Sequence, residues 1–155
     1  NKRMINLLLS GNEKVFDGAL TQLISIKNRT KEPVHCYIFT MDATRIKPEY
    51  TAIRDEQIDF LNQVVKAKDE RNQVTKVDVT DLYEQEFKGC PNEGAYCTPY
   101  TLLRLLADKI AEVPDKLLYL DIDMMVADDL SKLYDIDVSE YEYAAVREKY
   151  RLLVC

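Results

Sequence analysis

Asp121 and Asp123, separated by one residue, are the side chains whose type and spacing point most directly to chemistry. They lie in the run Lys116-Leu117-Leu118-Tyr119-Leu120-Asp121-Ile122-Asp123-Met124-Met125-Val126. That run is too short for a full helix, apolar at its centre and framed by charges, which is the pattern of a buried strand. Carboxylates at the end of a buried strand are costly unless a metal ion or hydrogen-bond donors neutralise them. A turn at this point would let both reach one cation, and the simplest occupant is a hard divalent ion, Mn²⁺ or Mg²⁺, that in turn holds a phosphate-bearing substrate. The plain alternative is a strand that ends in polar turn residues. A second Asp-x-Asp, Asp135-Ile136-Asp137, shows how little three residues prove. It sits in a polar stretch and reads as a turn or cap.

Two further residues could touch a ligand held there. Arg104 interrupts Leu102-Leu103-Arg104-Leu105-Leu106. It is either the solvated edge of an apolar stripe or, if its helix packs beside the aspartate strand, a guanidinium able to grip a sugar or phosphate. Asn12 is equally a helix cap and a ligand contact, and the roles are compatible because a helix amino end attracts anions. The single histidine, His35, cannot build a multi-histidine metal site and reads as a core or solvated residue. The four cysteines, Cys36, Cys90, Cys97 and Cys155, form no Cys-x-x-Cys pair, so zinc is not indicated. Cys36 reads as a small buried hydrophobe. Cys90 and Cys97 could close a loop, but the otherwise cytosolic composition favours free thiols.

The elements that must position these residues follow from hydrophobic periodicity. Met4 to Ser10 reads as a first strand broken by Ser10-Gly11-Asn12. A helix then carries Phe16, Ala19, Leu20, Leu23 and Ile24 on its apolar face, with Lys27 at the edge. Val34 to Met41 is a second strand, and a second helix is expected from Pro48 to about Lys68. Val74 to Val79 is a shorter strand near a sheet margin, and Asp81 to Thr98 reads as a long loop with room for one helical turn. From Pro99 to Val113 the pattern is helical again, and the aspartate strand follows. Met124 to Ala127 and Tyr143 to Val146 are candidate short strands, with a helical turn over Asp128 to Tyr134. The order βαβαβ, loop, αβ predicts a single α/β domain over residues 1–155, a mostly parallel sheet flanked by helices. Ligands of such sheets bind beyond the carboxyl ends of the strands, so Ser10-Gly11-Asn12 and Asp121-Ile122-Asp123 should share one rim.

Composition narrows the function classes. With 155 residues, 46% of them hydrophobic, and a formal charge of −6, the chain is an ordinary globular domain. It is too acidic for a non-specific nucleic-acid binder. No run approaches the roughly 20 apolar residues that cross a bilayer, and no signal peptide is legible. The expected place is cytoplasmic, with any membrane contact at the inner face made through a carboxy-terminal part beyond these residues. Asn28-Arg29-Thr30 fits a glycosylation sequon, a chance match in that setting.

Taken together, several stretches resemble the family 8 glycosyltransferases over nearly the whole chain. They are the first strand with Ser10-Gly11-Asn12, the helix from Tyr100 to Arg104, and Leu118 to Val126 followed by Asp129-Leu130-x-x-Leu133-Tyr134. The resemblance implies a Rossmann-like GT-A nucleotide-diphospho-sugar transferase fold, a UDP-hexose donor, Mn²⁺ or Mg²⁺, and transfer with retention to a saccharide, lipid-linked or protein acceptor. On this likeness Asp121 and Asp123 match the metal ligands, and Asp121 also faces the donor. Ile122 matches the residue whose backbone lies by the nucleotide, Leu8, Ser10 and Asn12 the positions lining uracil and ribose, and Arg104 the arginine that touches the donor. Members often carry Asp-Asp-Asn-Tyr where this chain has Ser10-Gly11-Asn12-Glu13, so the aromatic that stacks on uracil is absent at that spot. The family's acceptor half and its late His-x-x-Gly-x-x-Lys-Pro-Trp element would lie beyond Cys155, so the chain reads as the amino-terminal nucleotide-binding portion.

Two other readings compete. Haloacid-dehalogenase-type phosphatases also end an apolar strand in Asp-x-Asp, the first aspartate acting as nucleophile, but there the motif normally opens the domain. A non-catalytic nucleotide-sugar or protein-binding module is the rival outside enzymes.

Overall fold

The computed structural model describes residues 3–91, 93 and 98–145. Strands β1 (Ile5–Ser10), β2 (Val34–Thr40), β3 (Gln73–Asp78) and β4 (Leu118–Tyr119) form one sheet in the order β3-β2-β1-β4. All three pairings are parallel. Helices α1 (Phe16–Arg29), α2 (Asp55–Lys66), α3 (Thr80–Phe87) and α4 (Ser131–Tyr134), with a single 3₁₀ turn over Glu13–Val15 and a longer 3₁₀ stretch over Pro99–Lys109, complete the described elements. This is the expected α/β sheet flanked by helices.

Strand alternation builds the two layers. From β1 and β2, Ile5, Leu7, Leu9, Val34, Cys36 and Ile38 enter one core with residues of α1 and α2. Leu8, Tyr37, Phe39 and Met41 enter the other, with Tyr83 of α3 and Tyr100, Leu103 and Leu106 of the 3₁₀ stretch. Since both faces are covered, β1 and β2 can be nearly continuous in apolar residues. Burial pushes the Cys36 thiol up to about 12, so it is an inert core group, and Cys90 is likewise free. Cys97 and Cys155 lie outside the described residues.

Four expectations need correction. The second helix starts at Asp55, not Pro48. Tyr50 and Ile53 are buried as expected, but from a strap laid across the strand ends, with Ile53 N–H donating to Thr40 Oγ1 at 2.9 Å and Glu13 N–H to Thr51 O at 2.9 Å. The stretch read as a loop after Asp81 contains α3, two turns of helix that bury Tyr83. Gly89, at φ 79°, lies just past its end, where a left-handed residue commonly stops a helix. Pro99–Lys109 is a tighter 3₁₀ helix, and its buried Tyr100, Leu103 and Leu106 recur at the three-residue period of that form. Met124 to Ala127 and Tyr143 to Ala145 belong to no strand, and Val146 lies outside the described residues. The helical turn expected before Tyr134 is α4.

His35 is half-buried in β2, with Nε2 2.7 Å from Thr75 Oγ1 and its ring stacked on Tyr37 at 4.1 Å. Burial first, and the charge of Lys66 second, press its pKa below the ordinary value. Such a histidine stabilises the fold in its neutral form. That contribution is complete above the unfolded pKa of about 6.5 and is lost as pH falls through the folded one. Unfolding free energy should therefore decline from pH 7 towards pH 5, and His35→Gln should remove this part of the slope in denaturant titrations.

Candidate functional site

The parallel sheet sends the carboxyl ends of all four strands to one rim, and the sequence-predicted site residues gather there. Leu7 and Leu8 of β1 lie opposite Leu118 and Tyr119 of β4, and Leu120 N–H donates to Leu8 O at 3.2 Å. Ser10, the last residue of β1, and Asp121, two residues past β4, therefore both lie at this end of the sheet. Ser10 ends β1 half-buried, and Gly11 N–H donates to Phe39 O at 3.1 Å, fixing the first loop against β2. Asn12 then caps the turn into α1, its Oδ1 accepting Lys14 N–H at 3.0 Å. Leu8, predicted to line the ligand, is instead enclosed, 2% exposed, in the core with Tyr37, Phe39 and Leu103, so its side chain is not presented at the rim.

After Leu120, which is buried, the chain leaves the sheet and turns, with Met124 N–H donating to Asp121 O at 3.1 Å. Asp121 and Asp123 are exposed on this turn and Ile122 is half-buried. The expectation of carboxylates at a buried strand end is thereby corrected. Because β4 pairs over only two residues, both side chains emerge into solvent and carry no desolvation cost that a metal must offset. Among the described residues neither carboxylate has a hydrogen bond or an ion pair. The second motif is different: Asp135 pairs with Arg3 and Asp137 Oδ1 accepts Ser139 N–H at 2.9 Å. Hydrogen bonds from the Ser139 backbone and hydroxyl hold the Asp137 carboxyl below the usual carboxylate range, as in a turn cap.

Arg104 is exposed, its guanidinium carbon 5.1 Å from the centre of the Tyr119 ring. The 3₁₀ stretch thus does pack beside the aspartate strand. Arg104 rests on an aromatic face two residues before Asp121, a contact worth about 0.5–1 kcal/mol when exposed.

Among the described residues no group of three or more His, Cys, Asp or Glu side chains is placed to share a metal ion. The donor set at this turn is therefore two unengaged carboxylates. That set fits Mg²⁺ or Mn²⁺, hard ions commonly held through one or two carboxylates with the rest of the sphere supplied by water and substrate phosphate.

Sequence periodicity missed the residues that hold the turn. The face of α1 expected to be apolar is rotated, so that Ile24 is 38% exposed, whereas Gln22 and Ser25 are buried with Leu23 and Ile26. Gln22 Nε2 donates to Asp121 O at 2.8 Å and to Met124 O at 3.1 Å. Ser25 Oγ accepts Val126 N–H at 3.1 Å, and Thr30 Oγ1 accepts Leu130 N–H at 3.3 Å. The signal was available in Gly18, Gln22 and Ser25 recurring four and three residues apart on one helix face. Its meaning depends on irregular backbone, residues 121–130, lying along that face.

The chain is similar to known proteins in sequence and in fold. The sequence model described as Glycosyl transferase family 8 matches residues 6–153. A Haemophilus influenzae protein whose name assigns it, provisionally, to the glycosyltransferases is 23% identical over 146 residues, covering 94% of this chain and 40% of its own length. Two crystal structures share the fold. An active-site mutant of LgtC superposes with a TM-score of 0.66 at 20% identity, covering 88% of this chain and 44% of that one. The galactosyltransferase LgtC in complex with donor and acceptor sugar analogs gives 0.62 at 19% identity, covering 86% and 43%. The chain thus spans about two-fifths of the length of these relatives. Among the described residues no helix is long and apolar enough to cross a membrane.

Proposed function

The chain belongs to glycosyl transferase family 8, and from that membership we propose that it forms the donor-binding part of a retaining, divalent-metal-dependent transferase that moves a hexose from a UDP-sugar to a saccharide, lipid-linked or protein acceptor. The observation that carries the reading is the exposed turn Asp121-Ile122-Asp123, which follows β4 at the carboxyl-end rim of a parallel sheet where β1 ends in Ser10 and where ligands of such sheets bind.

In this reading Asp121 and Asp123 would hold Mn²⁺ or Mg²⁺, and the chemistry such an ion would supply is Lewis-acid neutralisation of the charge on a leaving diphosphate. Ser10, the Asn12 turn and the Ile122 backbone line the nucleoside, while Leu8 supports β1 from the core. Arg104 swings from the Tyr119 ring to the donor, where its fork can take two oxygens at once and orient the sugar for transfer. Support comes from the shared rim and from the two carboxylates that no cationic side chain among the described residues occupies.

Calorimetric titration with UDP, with and without Mn²⁺, tests this. Binding that requires the metal is the expected result. Folded protein that binds UDP equally well without metal, or not at all, would overturn the reading.

A further inference from the structure

We infer that Gln22 is the positioning residue of the aspartate pair: its carboxamide, seated by Gly18, closes the Asp121–Met124 turn and so fixes how Asp121 and Asp123 stand relative to each other. Gln22 lies mid-helix in α1, 0% exposed, and its Nε2 bridges the carbonyls of the first and last residues of the turn at 2.8 and 3.1 Å. A carboxamide NH₂ has two protons and can serve one carbonyl with each, which neither a carboxylate nor a hydrocarbon can do. The same two residues are joined by Met124 N–H to Asp121 O at 3.1 Å, so the bridge clamps a turn already closed by its own backbone.

Two observations show that the site is built for this clamp and not for core packing. Gln22 Oε1 is buried without a partner among the described residues, a desolvation cost that leucine at this position would not incur. Gly18 lies one turn earlier on the same face. A Cβ there would sit 3.2 Å from Ile122 O and 3.4 Å from Ile122 Cγ1, so α1 presses directly on the middle residue of Asp-x-Asp. Ser25 Oγ donates to Gln22 O at 2.7 Å and anchors Val126, beyond the turn. The seam therefore divides into a part that shapes the turn, Gly18 and Gln22, and a part that holds the chain after it.

The consequence for the cation rests on the function proposed above; the consequence for the turn does not. The test uses the full chain as Gln22→Leu, which removes the donors at similar volume, and Gln22→Glu, which sets an acceptor against two carbonyls. Ser25→Ala is the control that loses the later tether and the hydrogen bond to the Gln22 backbone carbonyl but keeps the Gln22 carboxamide and both of its contacts to the turn. The first readout is amide hydrogen exchange at Met124, compared with Leu9 and Ile38 in the sheet. Exchange at Met124 should rise at least roughly tenfold in both Gln22 variants, with Leu9 and Ile38 unmoved, and should stay near wild type in Ser25→Ala. The second readout is Mn²⁺-dependent UDP affinity, which should fall roughly tenfold in the Gln22 variants. Unchanged Met124 exchange, or a uniform rise across the sheet, would overturn the assignment, as would wild-type affinity in Gln22→Leu. A wild-type chain that binds no UDP with Mn²⁺ would instead sink the transferase reading, and the exchange data alone would then decide the role of Gln22.

Discussion

Replacing either Asp121 or Asp123 by alanine should abolish Mn²⁺-dependent UDP binding, by at least roughly 100-fold or about 2.8 kcal/mol, while leaving the fold intact. The two halves of this expectation have separate causes. Both side chains are exposed and unpaired among the described residues, so their removal leaves no cavity and no orphaned partner. Exposed substitutions of that kind usually change stability by no more than about 0.5 kcal/mol. The structural role of Asp121 is carried by its backbone carbonyl, which receives Gln22 Nε2 and Met124 N–H and is kept by alanine. Binding should differ because the proposed two-carboxylate site would have no spare protein ligand, and either loss would leave one carboxylate to hold a doubly charged ion. Asp121→Asn and Asp123→Asn separate charge from shape. They should resemble the alanine variants in binding, because a neutral amide oxygen is a much poorer ligand for a hard cation. Calorimetry for affinity and urea titration for stability check both halves, and a variant that keeps metal-dependent binding would remove that residue from the site.

What the sequence made legible was whatever depended on local pattern. The strands β1, β2 and β3 are short apolar or alternating runs bounded by Gly, Asn, Pro and charge, and they lie within a residue or two of expectation. Their order with the helices is enough to set a parallel sheet, and hence to bring Ser10 and Asp121 to one rim. The errors lie where tertiary partners overrode local preference. Pro48 is a good first-turn residue, but Thr40 Oγ1 and the Glu13 backbone recruit residues 51–53 as an extended strap, so α2 waits for Asp55 and Glu56 at its amino end. The segment after Asp78 has its own start signal, Asp78 Oδ1 accepting Thr80 N–H at 2.9 Å, which the later glycines and proline obscured.

The candidate site divides the same way. Asp121 and Asp123 stand out by type and spacing alone. Their exposure does not, because a strand that pairs over two residues and a strand that pairs over six read alike until the partner is known. Gln22 and Ser25 are polar residues on a face that periodicity assigns to solvent, and only the non-repetitive backbone of 121–130 explains their burial. Buried irregular backbone must find hydrogen-bond partners somewhere, and here a helix supplies them from side chains. The polar positions of α1 are thus as much part of the core as its leucines.

The sheet beneath this rim should be far less forgiving than the carboxylates upon it. Phe39 is 0% exposed in β2, one of the two strands with neighbours on both sides, opposite Ser10 of β1 and Val77 of β3. Its ring belongs to the core that includes Leu8, Met41, Tyr83, Tyr100 and Leu103, side chains contributed by strands, α3 and the 3₁₀ stretch. No single neighbour can move freely to fill the space, because they are held in several separate elements. Phe39→Ala should therefore cost about 3–5 kcal/mol, the upper range for truncating a buried aromatic where the surroundings cannot collapse. That is a large share of the roughly 5–15 kcal/mol by which domains are usually stable. Phe39→Leu, which retains most of the volume, should cost less than half as much. Because Phe39 O also accepts the Gly11 N–H, loosening β2 should reach the Ser10-Gly11-Asn12 loop, and UDP affinity should weaken in step with stability. This is the opposite signature to the aspartate variants, whose binding fails while the fold stands. Urea midpoints at constant m-value, measured beside the calorimetry, would distinguish the two, and a Phe39→Ala loss below about 1 kcal/mol would mean that this core collapses around the missing ring.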